Sequence, residues 1–437
     1  MKKFVILALF VCLATMGPTV MNIYAGEVDI LLEKLVDKGV LTYGEAQEIK
    51  TETKEQVRKE IAAGESDAVP KWVQNIKFKG DLRLRYQSNH NKTVANQTSE
   101  RHRGRIRARL GAEAKVNDKL KVGLGLATGL DDQNQSDPDD KDTIRSTNQS
   151  FDSSFAKKPF NLDYAFAQYT PYSWLMLTGG KMKLDAAVWE PGDLMWDTDI
   201  TPEGIAIDLV KKLEGKNNLF LKTGFYVLEE SSSSGDDPWL VHIQPGVNYG
   251  LADGISAKAA LTLDYFAVGS TGNLNGSSGT NSWSSGDLAA PKKDVVNIMP
   301  ALEVKFSEPF RGLGISLLDI PVLKLFAEYV KNMNDSKPDD NKTGFMLGCK
   351  FGADKVKRWG DWQAKYNYAM LGKDAVLDIL PDSDRYSGGT AIRAHEFAIS
   401  YGLGENTELG FDVYRSKRIG MAEAPETIVQ VDWLLKF

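Results

Sequence analysis

The residues from Thr427 to Phe437 alternate strictly in character. Thr427, Val429, Val431, Trp433, Leu435 and Phe437 fall on one side and Ile428, Gln430, Asp432, Leu434 and Lys436 on the other, because side chains along a strand point to opposite faces with period two. The result is a strand with one apolar face and an aromatic end. An open sheet could hold it, but the same strand also meets the requirement of a closed barrel, in which the last strand pairs with the first. A barrel then demands many more strands of about ten residues with the same alternation, joined alternately by short turns and long loops.

The chain from Ile76 onward meets that demand. Ile76, Phe78, Leu82, Leu84 and Tyr86 alternate with Lys77, Lys79, Asp81, Arg83 and Arg85. The next strand carries Arg101, Arg103, Arg105, Arg107 and Arg109 on one face and Ile106, Ala108, Leu110, Ala112 and Ala114 on the other, then turns at Asn117-Asp118 into a strand over 120–126. Further strands are predicted over 162–169, 174–184, 205–210, 219–228, 239–249, 255–268, 295–306, 322–330, 344–351, 359–370, 394–401, 408–414 and 427–437. The fold class is therefore all-β, a transmembrane antiparallel β-barrel of about 16 strands over 76–437, with the even count and the short and long connections of a single-chain outer-membrane barrel. Series such as Val241, Ile243, Val247 and Tyr249 read as lipid-facing. Pro245 and Pro300 oppose the pattern, because a closed sheet has no edge strand to spare an N–H. Bulges or shifted strand ends are the expected remedy.

What precedes the strands is different in kind. Lys2-Lys3, the apolar run from Phe4 to Ala14 and the small residue Ala25 have the layout of a secretory signal, so residues 1–25 are expected to be removed. The run is shorter than the roughly 20 residues of a spanning helix. Cys12 leaves with it, and Cys349 alone can form no internal disulfide. Residues 26–65 read as a short periplasmic helical segment: Leu31, Leu32, Leu35 and Val36 form a stripe, Gly39 suits a helix end, and Thr42 with Glu45 forms a capping box for a second helix to about Ala63. That second helix has few apolar residues, and a short coiled coil and a solvated helix stay open as readings. Residues 66–75 read as a polar linker.

Hydrophobic residues make up 42% of the chain, with no helix-length apolar run after the signal. That excludes a bundle of spanning helices but not a barrel, where only alternate residues face lipid. Losing Lys2 and Lys3 takes the formal net charge from −6 to −8. There is no basic tail or nucleic-acid motif, and no nucleic-acid partner is expected.

The leader from Leu31 to Thr42, the dyad strands and the terminal Phe437 together resemble the outer-membrane porins of Gram-negative bacteria, and in architecture the phosphate-selective porin O and P type. The likeness spans almost the whole chain after the signal. It is most specific in the leader and from Gly179-Gly180-Lys181 to Pro202-Glu203-Gly204. It implies a homotrimer of 16-stranded water-filled channels in the bacterial outer membrane, bordered by lipid and lipopolysaccharide. The N-terminal helices would then be free for a periplasmic contact.

The strongest chemistry lies in the arginine rows. Arg83, Arg85, Arg101, Arg103, Arg105, Arg107 and Arg109 must point into the lumen, since each would cost roughly 2–4 kcal/mol on the lipid face near the midplane. A guanidinium keeps its charge and offers a fork suited to oxyanions, so the expected channel passes small hydrophilic solutes with modest anion preference, Arg103, Arg105 and Arg107 contributing most. The alternative is that these arginines pair with lumen carboxylates and hold the wall. The loop over 185–203 carries Glu190, Asp193, Asp197 and Asp199, candidates for a constriction folded into the channel; a simple extracellular loop stays open as the other reading. The acidic run Asp131, Asp132, Asp137, Asp139, Asp140 and Asp142 lacks the spacing of a calcium loop and reads as a solvated surface loop. The histidines His90, His102, His242 and His395 are scattered, with no triad, metal spacing or nucleotide loop, so no catalytic residue, metal or cofactor is expected. His242 is placed in the lumen and His102 at the outer interface. Two other functions stay open: a barrel that sheathes an electron-carrying cytochrome, and a barrel hydrolase.

Overall fold

The computed structural model describes residues 31–32, 34–63, 71–92, 98–129, 144–230, 237–268, 274–282, 294–311, 320–334, 341–420 and 425–437. The signal segment, residues 66–70 of the polar linker and the acidic run from Asp131 to Asp142 lie outside the described residues. The chain divides into two units, Met1–Asn75 and Ile76–Phe437.

The first unit holds the leader. Residues 34–37 are helical, and the helix ends where Gly39 donates to the Val36 carbonyl and Val40 to that of Leu35. A second helix, Tyr43–Ala63, begins with the expected reciprocal cap: the Thr42 N–H donates to Glu45 Oε2 at 2.8 Å, and the Glu45 N–H donates to Thr42 Oγ1 at 3.3 Å. One further turn, Lys71–Gln74, lies inside what the sequence presents as linker.

The second unit is a closed antiparallel ring. Its strands are β1 (Lys77–Lys92), β2 (Thr98–Lys115), β3 (Leu120–Thr128), the two-residue β4 (Gln149–Ser150), β5 (Phe160–Tyr172), β6 (Leu175–Lys181), β7 (Glu203–Lys212), β8 (Asn218–Val227), β9 (Trp239–Ala252), β10 (Ile255–Ala267), β11 (Val295–Ser307), β12 (Val322–Asn332), β13 (Thr343–Gly352), β14 (Trp362–Leu371), β15 (Ile392–Gly404), β16 (Thr407–Arg418) and β17 (Glu426–Lys436). All but β4 belong to the wall, which makes it 16-stranded. Closure is by β1 and β17, in register from Asp81↔Lys436 to Asn91↔Glu426, so the alternating C-terminal strand does what its pattern requires. β3 pairs with β2 only over Arg109–Lys115. β4 continues the ladder above it, through Arg105↔Ser150 and Ile106↔Gln149.

Two details depart from the sequence reading. The strand expected over 174–184 stops at Lys181, and Leu184–Ala187 forms a helical turn that leaves the wall. Pro245 and Pro300 sit within unbroken strands, exposed on the outer face. Neither is repaired by a bulge: β9–β10 pairing skips from Gly246↔Ala260 to Ile243↔Leu263, and β11–β12 pairing skips from Ile298↔Lys331 to Ala301↔Glu328, each resuming in the same register. The ladder loses rungs on one side of each proline, while pairing to the other neighbour continues through Pro245↔Leu221 and Pro300↔Leu261.

Period two sorts the wall into faces. Ile243, Tyr265, Leu347, Phe411 and Trp433 are exposed outward, whereas Phe266, Met299, Phe326, Val330 and Met346 point inward and are buried. An apolar inner face must be covered, and two inserted segments cover it. Met182, Leu194, Met195 and Trp196 after β6, and Val376, Leu377 and Leu380 after β14, pack against those residues as one core inside the barrel. Burying each large side chain contributes about 1.5–3 kcal/mol, enough to hold both segments in the lumen.

Candidate functional site

The inserted segments fill the lumen beside β9–β15 and leave space along β1, β2, β16 and β17. All seven candidate arginines are on the inner face, as their parity requires, but they divide into two groups. Arg105 donates to Gln87 Oε1 at 3.1 Å and the Asn148 carbonyl at 3.3 Å, and Arg103 faces Ser150 Oγ at 3.5 Å. The segment around β4 thus meets both, and neither they nor Arg101 are among the residues that line the two cavities described below. Of the three arginines expected to contribute most, Arg107 alone is among the residues lining one of those cavities. Arg83, Arg85, Arg107 and Arg109 do border the free space.

Carboxylates hold those four. Arg85 forms a two-pronged pair with Asp432, Nε to Oδ1 and Nη2 to Oδ2 both at 2.7 Å, and lies 3.6 Å from Asp384. Arg107 Nη2 meets Asp81 Oδ1 at 2.8 Å, Arg109 Nε meets Asp81 Oδ2 at 2.7 Å, and Arg109 Nη1 reaches Asp199 Oδ1 at 3.4 Å. Arg83 donates to Asn148 Oδ1 at 2.7 Å and lies 3.7 Å from Asp432.

The four acidic candidates of the third long loop also separate by role. Asp199 alone meets the arginine wall. Asp197 is a brace: its N–H donates to the Leu380 carbonyl at 2.7 Å, and its Oδ2 accepts from the Ser383 N–H at 2.9 Å. Asp193 binds Arg385 and lies 3.5 Å from Lys365. Burial opposes its ionisation, but Arg385 and Lys365 outweigh that and hold the Asp193 carboxyl well below the usual range. Glu190 turns back on its own segment, accepting from the Trp196 N–H at 3.3 Å. Burial, followed by the neighbouring Glu328 charge, pushes Glu190 well above the carboxylate range, and burial followed by Asp382 does the same to Asp197.

The segment over 372–391 is the functional element that sequence reasoning missed. It contributes Asp382, Asp384 and Arg385 to the lumen. Burial pushes the Asp382 carboxyl up to about 7 against the pull of Arg385. Its signal was present: Ala375, Val376, Leu377, Ile379 and Leu380 are too apolar for a solvated loop. Asp193, Asp382 and Glu396 bring carboxylate oxygens within 4.8 Å of one another, and the positive charge among them comes from Arg385 and Lys365. His242 is buried on the inner face with Nδ1 2.7 Å from Asp264 Oδ1, and His102 is on the outer face against the Tyr86 hydroxyl.

Two cavities lie at these groups, one of about 270 Å³ beside Arg83, Arg85 and Arg107 and one of about 530 Å³ beside Asp81, Arg109 and Lys183. Thr198 and Asp199 border both. The Arg109–Asp199 contact joins the wall to the inserted segment at one of those two shared residues.

A closed 16-stranded antiparallel barrel whose lumen is narrowed by inserted segments, with a charged gap beside them, defines a porin-type channel of the outer membrane. The chain belongs to the family described as "Putative porin", which matches residues 40–94, 88–291 and 323–437. No curated protein matches it in sequence. Among solved structures it is similar to OprB of Pseudomonas putida, with 12% identity, a TM-score of 0.53 and coverage of 84% of this chain and 95% of that one. It also matches a loop-deletion mutant of OmpT of Vibrio cholerae (12% identity, TM-score 0.45, 83% and 99% covered) and a triple mutant of Rhodopseudomonas blastica porin (12%, 0.41, 83% and 100%). At such identities the likeness is one of fold.

Proposed function

We propose that the protein is a passive channel for small hydrophilic solutes, which travel along the β1–β2 wall through the two cavities and pass the Arg109–Asp199 contact. The observation that carries this reading is the paired arrangement at that contact: a basic wall, an acidic inserted segment, and a cavity on each side. An arginine row without partners would favour anions. Here the described residues that line the smaller cavity include four arginines against eight carboxylates, of which burial keeps Asp197 neutral and Asp382 only partly charged, and those of the larger include three cations against five carboxylates, of which Glu190 is neutral. The proposed preference is therefore weakly for cations, because charges around a narrow, low-dielectric passage are focused while distant loop charges are screened. For the same reason phosphate selectivity is not part of the proposal. The apolar core inside the barrel speaks against a sheath for a cytochrome, which needs an open bore. A homotrimer is part of the proposal, and the outer wall of β5 and β6 carries the small residues Ala165, Ala167 and Gly179 side by side.

The test is planar-bilayer conductance of the refolded protein in a KCl gradient. Stepwise conductance with a zero-current potential on the cation side is expected. Asp199→Asn should move that potential toward the anion side. A refolded barrel that conducts no ions would sink the channel reading, and a wild-type potential on the anion side would sink the proposed preference alone.

A further inference from the structure

Ile144 and Arg145 belong to the loop between β3 and β4, yet they are embedded among two other loops. Arg145 is 3% exposed. Its Nη1 donates to the carbonyls of Asp378 (3.0 Å), Pro381 (3.2 Å) and Gly388 (2.8 Å), and its Nη2 to Ser278 Oγ (3.2 Å) and the Gly276 carbonyl (3.5 Å). One guanidinium thus fastens the 274–282 loop to the 372–391 segment. A planar fork with five donors suits several converging carbonyls, whereas a lysine ammonium offers three donors at one point.

Both partner loops are shaped around this dipeptide. Gly388 has φ +71° and a Cβ there would fall 2.2 Å from Arg145 Nη1; Gly276 has φ +77° and a Cβ there would fall 2.4 Å from Ile144 Cδ1. The two loops also bind each other beside Arg145, with Asp378 accepting from Ser277 Oγ at 2.8 Å and the Thr280 N–H at 2.8 Å. The 372–391 segment in turn holds the segment after β6 through Leu380 and Ser383 on Asp197 and Arg385 on Asp193.

We infer that Arg145 is the positioning residue that sets the width of the passage: by locking the 372–391 segment in the lumen, it fixes the segment that carries Asp199 against the arginine wall. This rests on the channel reading above. Removing the side chain would leave several buried carbonyls without their donor. The hydrogen bonds named above all end on the 274–282 loop and the 372–391 segment.

Arg145→Ala, Arg145→Lys and Gly388→Ala would be compared with the wild type by single-channel conductance and by the size of polyethylene glycol that blocks entry. Heat-modifiable gel mobility would monitor the wall. Arg145→Ala is expected to raise conductance by about twofold or more and to admit larger polymers, since conduction follows pore geometry. Arg145→Lys should lie between Ala and wild type, and Gly388→Ala should open the channel with Arg145 still present. Wild-type conductance and polymer cut-off in folded Arg145→Ala would overturn the inference. So would loss of the barrel itself in Arg145→Ala and Gly388→Ala, because the residue would then serve assembly of the wall. A wild type without conductance would overturn the channel reading instead.

Discussion

Arg85 and Asp432 show what the lumen asks of single residues. They sit on adjacent closing strands at paired positions, both buried, and join through two hydrogen bonds of 2.7 Å. Removing Arg85 strips Asp432 of both hydrogen bonds and leaves it Arg83 at 3.7 Å, and leaving a buried charge without its main partner is worse than removing both. Arg85→Ala is expected to destabilise the barrel by about 3–5 kcal/mol in urea unfolding from lipid vesicles, while Arg85→Met with Asp432→Leu should recover most of the loss. Asp382 gives a second prediction at this scale. Burial lifts its carboxyl to about 7, so it is neutral below that pH and negative above it. Cation preference should therefore grow as pH rises through 7, read as zero-current potential in a KCl gradient. Asp382→Asn should flatten that profile, and an unchanged profile would assign the pH dependence to another group.

At the scale of elements, the strands were legible and the inserted segments only half so. Strand positions follow from period two and from the turn residues, both local properties, and each predicted strand has its counterpart in the wall. Proline was the misleading signal, because a closed barrel tolerates one on the outer face by giving up rungs to a single neighbour without changing register. Arg103 and Arg105 were placed on the correct face, yet whether a lumen arginine meets water or a covering loop is a non-local matter that alternation cannot report. The same limit hid Asp382 and Arg385, whose segment announced itself only by its apolar run. The contact between the two inserted segments can be tested directly. Asp197→Ala removes the acceptor of the Ser383 N–H and leaves the apolar core intact, so it should loosen the segments without expelling them. Greater open-channel current noise at nearly unchanged mean conductance is expected, and quiet wild-type traces would show that the core alone holds the segments still.

For the whole molecule, closure decides what is essential. Each of the 16 wall strands comes from Ile76–Phe437, and β1 and β17 meet along a continuous register from Asp81 to Asn91. Such a ring leaves no unpaired edge that another part of the chain must cover. The leader contributes a helix ending at Gly39 and a capped helix, Tyr43–Ala63, rich in charged and polar residues, and neither supplies a strand. Deleting residues 27–63 while retaining the signal should therefore leave heat-modifiable mobility, single-channel conductance and zero-current potential at wild-type values. If the leader serves a contact between subunits or with the periplasm, the deletion should instead lower the yield of oligomer in native mass measurement or weaken that attachment. Failure of the deleted chain to form a conducting barrel would place the helices in the assembly of the wall, against the division of labour that the pairing implies.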